Sequence, residues 1–238
     1  MIDYGLLVSM IVAFGLPTLL SRRWPMSTFD PPAGFVDAVT GAVLVGLVVG
    51  RLATLALDDP RSIGRLADML VVRSGVEFWP GVAAAAGYAA FGAQRKGVSP
   101  LARLAAIAPL SMVGYAGYEA ACLVRDGCYG PASPIGLRPR GISATILPIG
   151  VLMALFVAGA AIVVHRRSAT GATAHGVVVA AIAAVASARA VGSFWLPKIG
   201  EALTRQHRSS LLVALVTVPT ALVLARAPAA RPKAVGPA

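Results

Sequence analysis

Seven stretches of this chain are long, continuous and almost free of charge: approximately Tyr4–Leu20, Val36–Leu57, Phe78–Gly92, Leu101–Val124, Ile142–Val164, Gly176–Trp195 and Leu211–Ala225. About 20 mostly apolar residues are enough to cross a bilayer as a helix. The third and seventh stretches are the shortest, and Pro219 sits inside the seventh. None alternates apolar with polar residues, which excludes a β-barrel. The balance of the whole chain agrees, since 57% of its 238 residues are hydrophobic and 13% are charged. That is about half the charged share of a soluble domain, and mean hydropathy is +0.77. A disordered chain, a coiled coil and a soluble nucleic-acid binder are thereby excluded, despite a net charge of +11. The sequence predicts one all-α domain over residues 1–225, a polytopic membrane bundle of about seven transmembrane helices. A basic, Pro- and Ala-rich tail at 226–238 is expected to be disordered.

Orientation follows from the basic residues. Arg22-Arg23 closes the first stretch, Arg95-Lys96 the third and Arg166-Arg167 the fifth, while Arg226, Arg231 and Lys233 follow the seventh. Basic residues at span ends mark the cytoplasmic side. The N-terminus is therefore expected outside and the C-terminus and its tail inside. Asp3, with no basic residue before the first stretch, argues against a cleaved signal. The surplus charge reads as topology and attraction to anionic lipid. The connection Trp24–Phe35 holds Pro25, Pro31 and Pro32 and is expected to be non-helical. Asp58–Glu77, Arg125–Gly141 and Pro197–Ser210 are expected as longer outer segments, the better places for function.

Charges inside a bilayer are costly and mark candidate sites. Arg51, Glu119 and Arg189 occupy the second, fourth and sixth stretches. All three run from inside to outside, and at ~1.5 Å per residue each charge lies about 20–25 Å up its helix. They therefore share one depth in the outer third of the membrane. Two guanidinium groups and one carboxylate leave a positive surplus, and guanidinium groups bind phosphate bidentately. One reading is a phospholipid head-group site at the outer leaflet. The other is an Arg–Glu staple between helices, with the second arginine snorkelling to the interface.

Cys122 and Cys128 are too few for a zinc site, and small apolar filling is favoured over a disulfide for them. His165 and His175 fall in the inner connection, where a solvated surface is expected. His207, between Arg205 and Arg208 on the last outer segment, is expected as a loop histidine more than as an acid or base. No Ser-His-Asp or Cys-His arrangement is visible in local spacing. Tyr4, Trp24, Phe78, Trp79 and Trp195 match an interfacial aromatic belt, and the Ala/Gly runs permit close helix packing. No metal and no cofactor is called for.

The order of these pieces resembles the prolipoprotein diacylglyceryl transferase family over roughly residues 1–225. Tyr4-Gly5 resembles the family's opening Tyr-Gly, and Gly50-Arg51-Leu52 its Gly-Arg-Ile/Leu. Arg73 through Gly81 is similar to the stretch ending Phe-His-Gly-Gly, and Cys122 through Gly130 to the signature before an intact Tyr129-Gly130. Ala188-Arg189-Ala190 lies where the family has Gly-Arg-Phe. The departures are Trp79 for the family's histidine, Glu119 near an arginine, and Arg125 and Gly127 for the signature's Asn and Glu. The family's later His-Pro-Thr stretch is not recognisable near Gly141–Leu147.

The resemblance implies a multi-pass protein of the bacterial cytoplasmic membrane that moves diacylglycerol from phosphatidylglycerol to the cysteine of a lipoprotein precursor. It implies a catalytic role for Arg189 and phosphate binding by Arg51, Arg189, Tyr129 and Gly130, while the missing histidine leaves Glu119 or Glu77 as the replacement catalytic base. The departures imply the alternative, a non-catalytic, lipid-binding subunit of a larger membrane complex. A small-solute transporter has no inverted repeat to support it.

Overall fold

Capping residues end the helices at one end of this molecule, and irregular, side-chain-tied segments end them at the other. The computed structural model describes residues 4–24, 35–63, 75–125, 129–138, 143–195 and 203–226. The proline-rich connection at 25–34, most of the 58–77 segment with Arg73 and Ser74, Cys128, and the tail at 227–238 lie outside the described residues.

Seven α-helices form among the described residues: α1 (Tyr4–Leu20), α2 (Phe35–Asp58), α3 (Phe78–Arg95), α4 (Pro100–Ala120), α5 (Ile149–Ala169), α6 (Ala174–Gly192) and α7 (Arg205–Arg226). Five are long and apolar enough to cross a membrane, namely α2, α4, α5, α6 and α7. The chain is an all-helical, multi-pass membrane protein. α1 is shorter, and α3 is built largely of Ala and Gly.

At the Arg166 end, tight turns join antiparallel neighbours. Gly97 takes φ +71° after α3, and its N–H donates to Gln94 O at 3.1 Å. Gly171 takes φ +92° after α5, where a side chain would be strained. The next helices then start on capping hydroxyls. Ser99 accepts from Ala102 N–H ahead of α4, with Pro100 in the first turn, and Thr173 accepts from Gly176 N–H ahead of α6. Such caps satisfy donors that no helix carbonyl can reach.

α4 is the centre, packed against α1, α2, α3, α5 and α6. Its Ala105, Met112 and Ala116 join Ala154, Val157 and Ala161 of α5 and Ala181 and Ala188 of α6 in one buried cluster. Small residues are what allow these backbones to approach where lipid supplies no hydrophobic drive. α2 and α3 form a second tight pair, and α7 packs along α6 and touches α3. Most of α7 faces outward, with Leu212, Leu215, Val216, Leu222 and Val223 exposed, as a lipid-facing helix requires.

The structure moves two boundaries. The fifth helix begins at Ile149 instead of Ile142, because the preceding residues pair with an extended segment, β1 (Ala132–Leu137). Ser133 N–H donates to Thr145 O and Leu147 N–H to Pro131 O, each at 3.0 Å. The seventh helix begins at Arg205 instead of Leu211 and carries Pro219 in its interior. The fourth and sixth helices each finish in a 3₁₀ turn, Ala121–Val124 and Ser193–Trp195.

Candidate functional site

Glu119, Arg189, the start of α3 and the start of α7 gather at one end of the bundle, opposite the basic doublets. Arg189 and Glu119 meet there, Nη1 to Oε1 at 3.9 Å, with side chains 14% and 16% exposed. That distance is an ion pair but too long for a hydrogen bond. Tyr115 lies one turn before Glu119 on α4, and Arg189 Nη1 donates to its hydroxyl at 3.1 Å. The Phe78 ring at the start of α3 supports the guanidinium from its face, 3.9 Å from Cζ, a cation–π contact. Arg189 Nε is buried with no hydrogen-bond partner. A guanidinium has five N–H donors, so the group is oriented by protein and only part of its donor capacity is used.

Arg51 is buried at 7% exposure, and its Nη1 donates to Gly75 O at 3.2 Å. It therefore does not snorkel to the interface. It stands on the α2–α3 side, where Glu77 N–H reaches both Gly50 O and Thr54 Oγ1 at 3.0 Å. Tyr129 is exposed, and no hydrogen bond holds its hydroxyl among the described residues. Gly130 sits where a side chain would run into Leu147 O, so its place is set by the close approach of the segment before α5.

Cys122 is disulfide-bonded, which corrects the expectation of a small apolar filler. The sequence holds one other cysteine, Cys128. Beside it Arg125 lies over the Tyr118 ring at 3.9 Å and donates from Nη2 to Tyr118 O at 2.9 Å. Among the described residues no group of three metal-ligating side chains occurs.

At the rim, Arg205 on α7 ties three helices together. Its Nη1 and Nη2 reach the two oxygens of Asp58 at 2.8 and 3.1 Å, and its Nε reaches Glu77 Oε1 at 2.6 Å. This bidentate geometry strengthens an otherwise weak surface pair. Arg205→Ala is expected to cost about 1 kcal/mol, read as a lower unfolding temperature in detergent, with Arg205→Lys recovering part of it.

Inside that rim sits a pair that sequence reading missed. His207 is helical and buried at 9% exposure, not a solvated loop residue. Its Nδ1 lies 3.2 Å from Ser193 Oγ, and its backbone N–H donates to Thr204 Oγ1 at 3.2 Å. One turn along, Trp79 Nε1 donates to Ser210 Oγ at 3.1 Å. Thr204 three residues ahead of His207 is the pattern of a capped helix start, a signal present in the sequence. Of the other histidines, His175 is exposed, while His165 stacks on Trp24 with ring centroids 4.2 Å apart.

Three residues of the expected aromatic belt also make specific contacts. Tyr4 and Trp195 are exposed as expected, but Phe78, Trp79 and Trp24 serve Arg189, Ser210 and His165. In sequence, no protein-family model and no curated protein matches this chain.

Proposed function

We propose that this chain handles anionic phospholipid at the outer leaflet of a bacterial cytoplasmic membrane, holding the head group with Arg189 and transferring diacylglycerol to a cysteine thiol of a lipoprotein precursor. The observation that carries this reading is the state of Arg189. It is half-buried at the same end as Glu119, pre-oriented by Phe78 and Tyr115, and keeps a buried Nε free of any partner. A phosphate replaces the loose Glu119 contact with charge-assisted hydrogen bonds at little cost in reorganisation. Stabilising the departing phosphate is the protein's obvious share of such a transfer, and Arg51, Tyr129 and Gly130 lie at the same end of the bundle.

Two features support an outer placement of this end and hence an outside N-terminus. The basic doublets cluster at the opposite end, as cytoplasmic ends do. The bonded Cys122 suits an oxidising compartment.

The test is lipid extraction from purified protein. Phosphatidylglycerol is expected to accompany the wild type and to be lost from Arg189→Ala; unchanged lipid content sinks the head-group site. A second reading, a lipid-binding subunit without catalysis, is favoured by one observation: Trp79, where the resemblance would want a histidine, is committed to Ser210. Transfer from phosphatidylglycerol to a fluorescent lipobox peptide separates the two readings.

A further inference from the structure

We propose that His207 is the proton acceptor of this site, working through Nε2, and that Ser193 is the positioning residue that fixes its tautomer. The substrate named here rests on the phospholipid reading above; the tautomer does not. Ser193 and His207 are buried, at 4% and 9% exposure. Ser193 Oγ carries one hydrogen and lies 3.3 Å from Ala190 O. The proposed arrangement gives that hydrogen to Ala190 O, which can only accept. In that arrangement Oγ is an acceptor toward the imidazole, and Nδ1–H donates across the 3.2 Å contact. The ring's other nitrogen, Nε2, is left unprotonated and carries the basic lone pair. Among the described residues no hydrogen bond reaches Nε2.

The pair is placed to serve the same site. Ser193 N–H donates to Arg189 O, so the hydroxyl stands one helical turn, about 5.4 Å, outward of Arg189. At this end of the bundle the charged groups on the elements around His207 include Arg189 on α6, Arg205 and Arg208 on α7, Glu77 at the start of α3, and Arg51 and Asp58 on α2. Both carboxylates are engaged by Arg205. The Ser193–Trp195 turn contributes none.

The step this allows is a displacement. The incoming thiol passes its proton to Nε2 as its sulfur bonds to the glycerol carbon. The carbon–oxygen bond to the phosphate breaks, and the electron pair leaves with the phosphate, which Arg189 meets. The imidazolium then returns its proton to the departing phosphate monoester.

The test begins with ring nitrogen shifts of labelled histidine in the full chain, held in nanodiscs containing phosphatidylglycerol. His165→Gln and His175→Gln variants supply the assignment. A neutral His207 protonated at Nδ1 is expected, changing to mixed tautomers in Ser193→Ala. A ring protonated at Nε2 overturns the proposal whatever the activity. In the transfer assay, His207→Gln is expected to lose about 10²–10⁴-fold in rate and the acid limb of the pH profile, with phospholipid content unchanged. Ser193→Ala should lose less and retain the limb. Wild-type rate in His207→Gln overturns the role, as does a wild-type protein that holds phospholipid and transfers nothing. Arg189→Ala with unaltered lipid content removes the head-group site alone.

Discussion

Gly81→Val should separate α2 from α3 and destabilise the protein by about 3 kcal/mol, at the upper end of what overpacking costs. A Cβ on Gly81 would stand 2.8 Å from Gly46 O, and one on Gly46 would stand 2.8 Å from Gly81 O. Each clash is with backbone in a rigid helix, so no side chain can swing aside. The damage should extend to function, because the start of α3 carries Glu77 and Phe78, which reach Arg205 and Arg189. Loss of co-purifying phospholipid and a lower unfolding temperature are expected together. Gly87→Ala is the control, since a Cβ there meets nothing within 4 Å and the helix gains about 0.5–1 kcal/mol in propensity. Equal behaviour of the two variants would show that α2 and α3 are not in contact at these glycines.

Arg189→Ala is expected to cost about 3 kcal/mol, because it leaves the Glu119 carboxylate without its cation. It also removes the cation–π contact with Phe78 and the hydrogen bond to Tyr115. Glu119→Gln should be much milder, about 1 kcal/mol, since Arg189 keeps Tyr115 and Phe78. The sign on lipid is opposite: with its competing carboxylate gone, Glu119→Gln should hold more phosphatidylglycerol than wild type. The double variant should recover stability relative to Arg189→Ala, giving a coupling of about 1 kcal/mol or more between the two sites. Denaturant unfolding of the four proteins, with lipid content measured in each, reads all of this. Additive stabilities would mean that the two charges do not interact.

The membrane class and the approximate helix positions were legible because apolar runs of bilayer length are a strong pattern. The depth of Glu119 and Arg189 was legible too, since residue count along a helix gives height. Depth leaves azimuth open. Nothing in the spacing shows that Arg189 turns to Tyr115 and Glu119, or that Arg51 turns to Gly75 O. His207 was misread for a different reason. Arg205 to Ser210 is a polar run that resembles a loop, yet the His207 backbone N–H, its imidazole and the Ser210 hydroxyl are spent on Thr204, Ser193 and Trp79. Buried polar groups that satisfy one another carry no hydropathy signal. Phe78 was misread because an aromatic at a helix end has the same pattern whether it faces lipid head groups or an arginine.

The seventh helix leaves the ribosome after the other six and touches the bundle mainly along α6. Yet it brings Arg205 to Asp58 and Glu77, His207 to Ser193 and Ser210 to Trp79. Until it inserts, this end of the bundle has two carboxylates without that cation and an indole without that acceptor. These contacts are thus completed only once α7 has inserted. A chain stalled before Arg205 would leave Asp58, Glu77 and the Trp79 indole unmet at that end of the bundle.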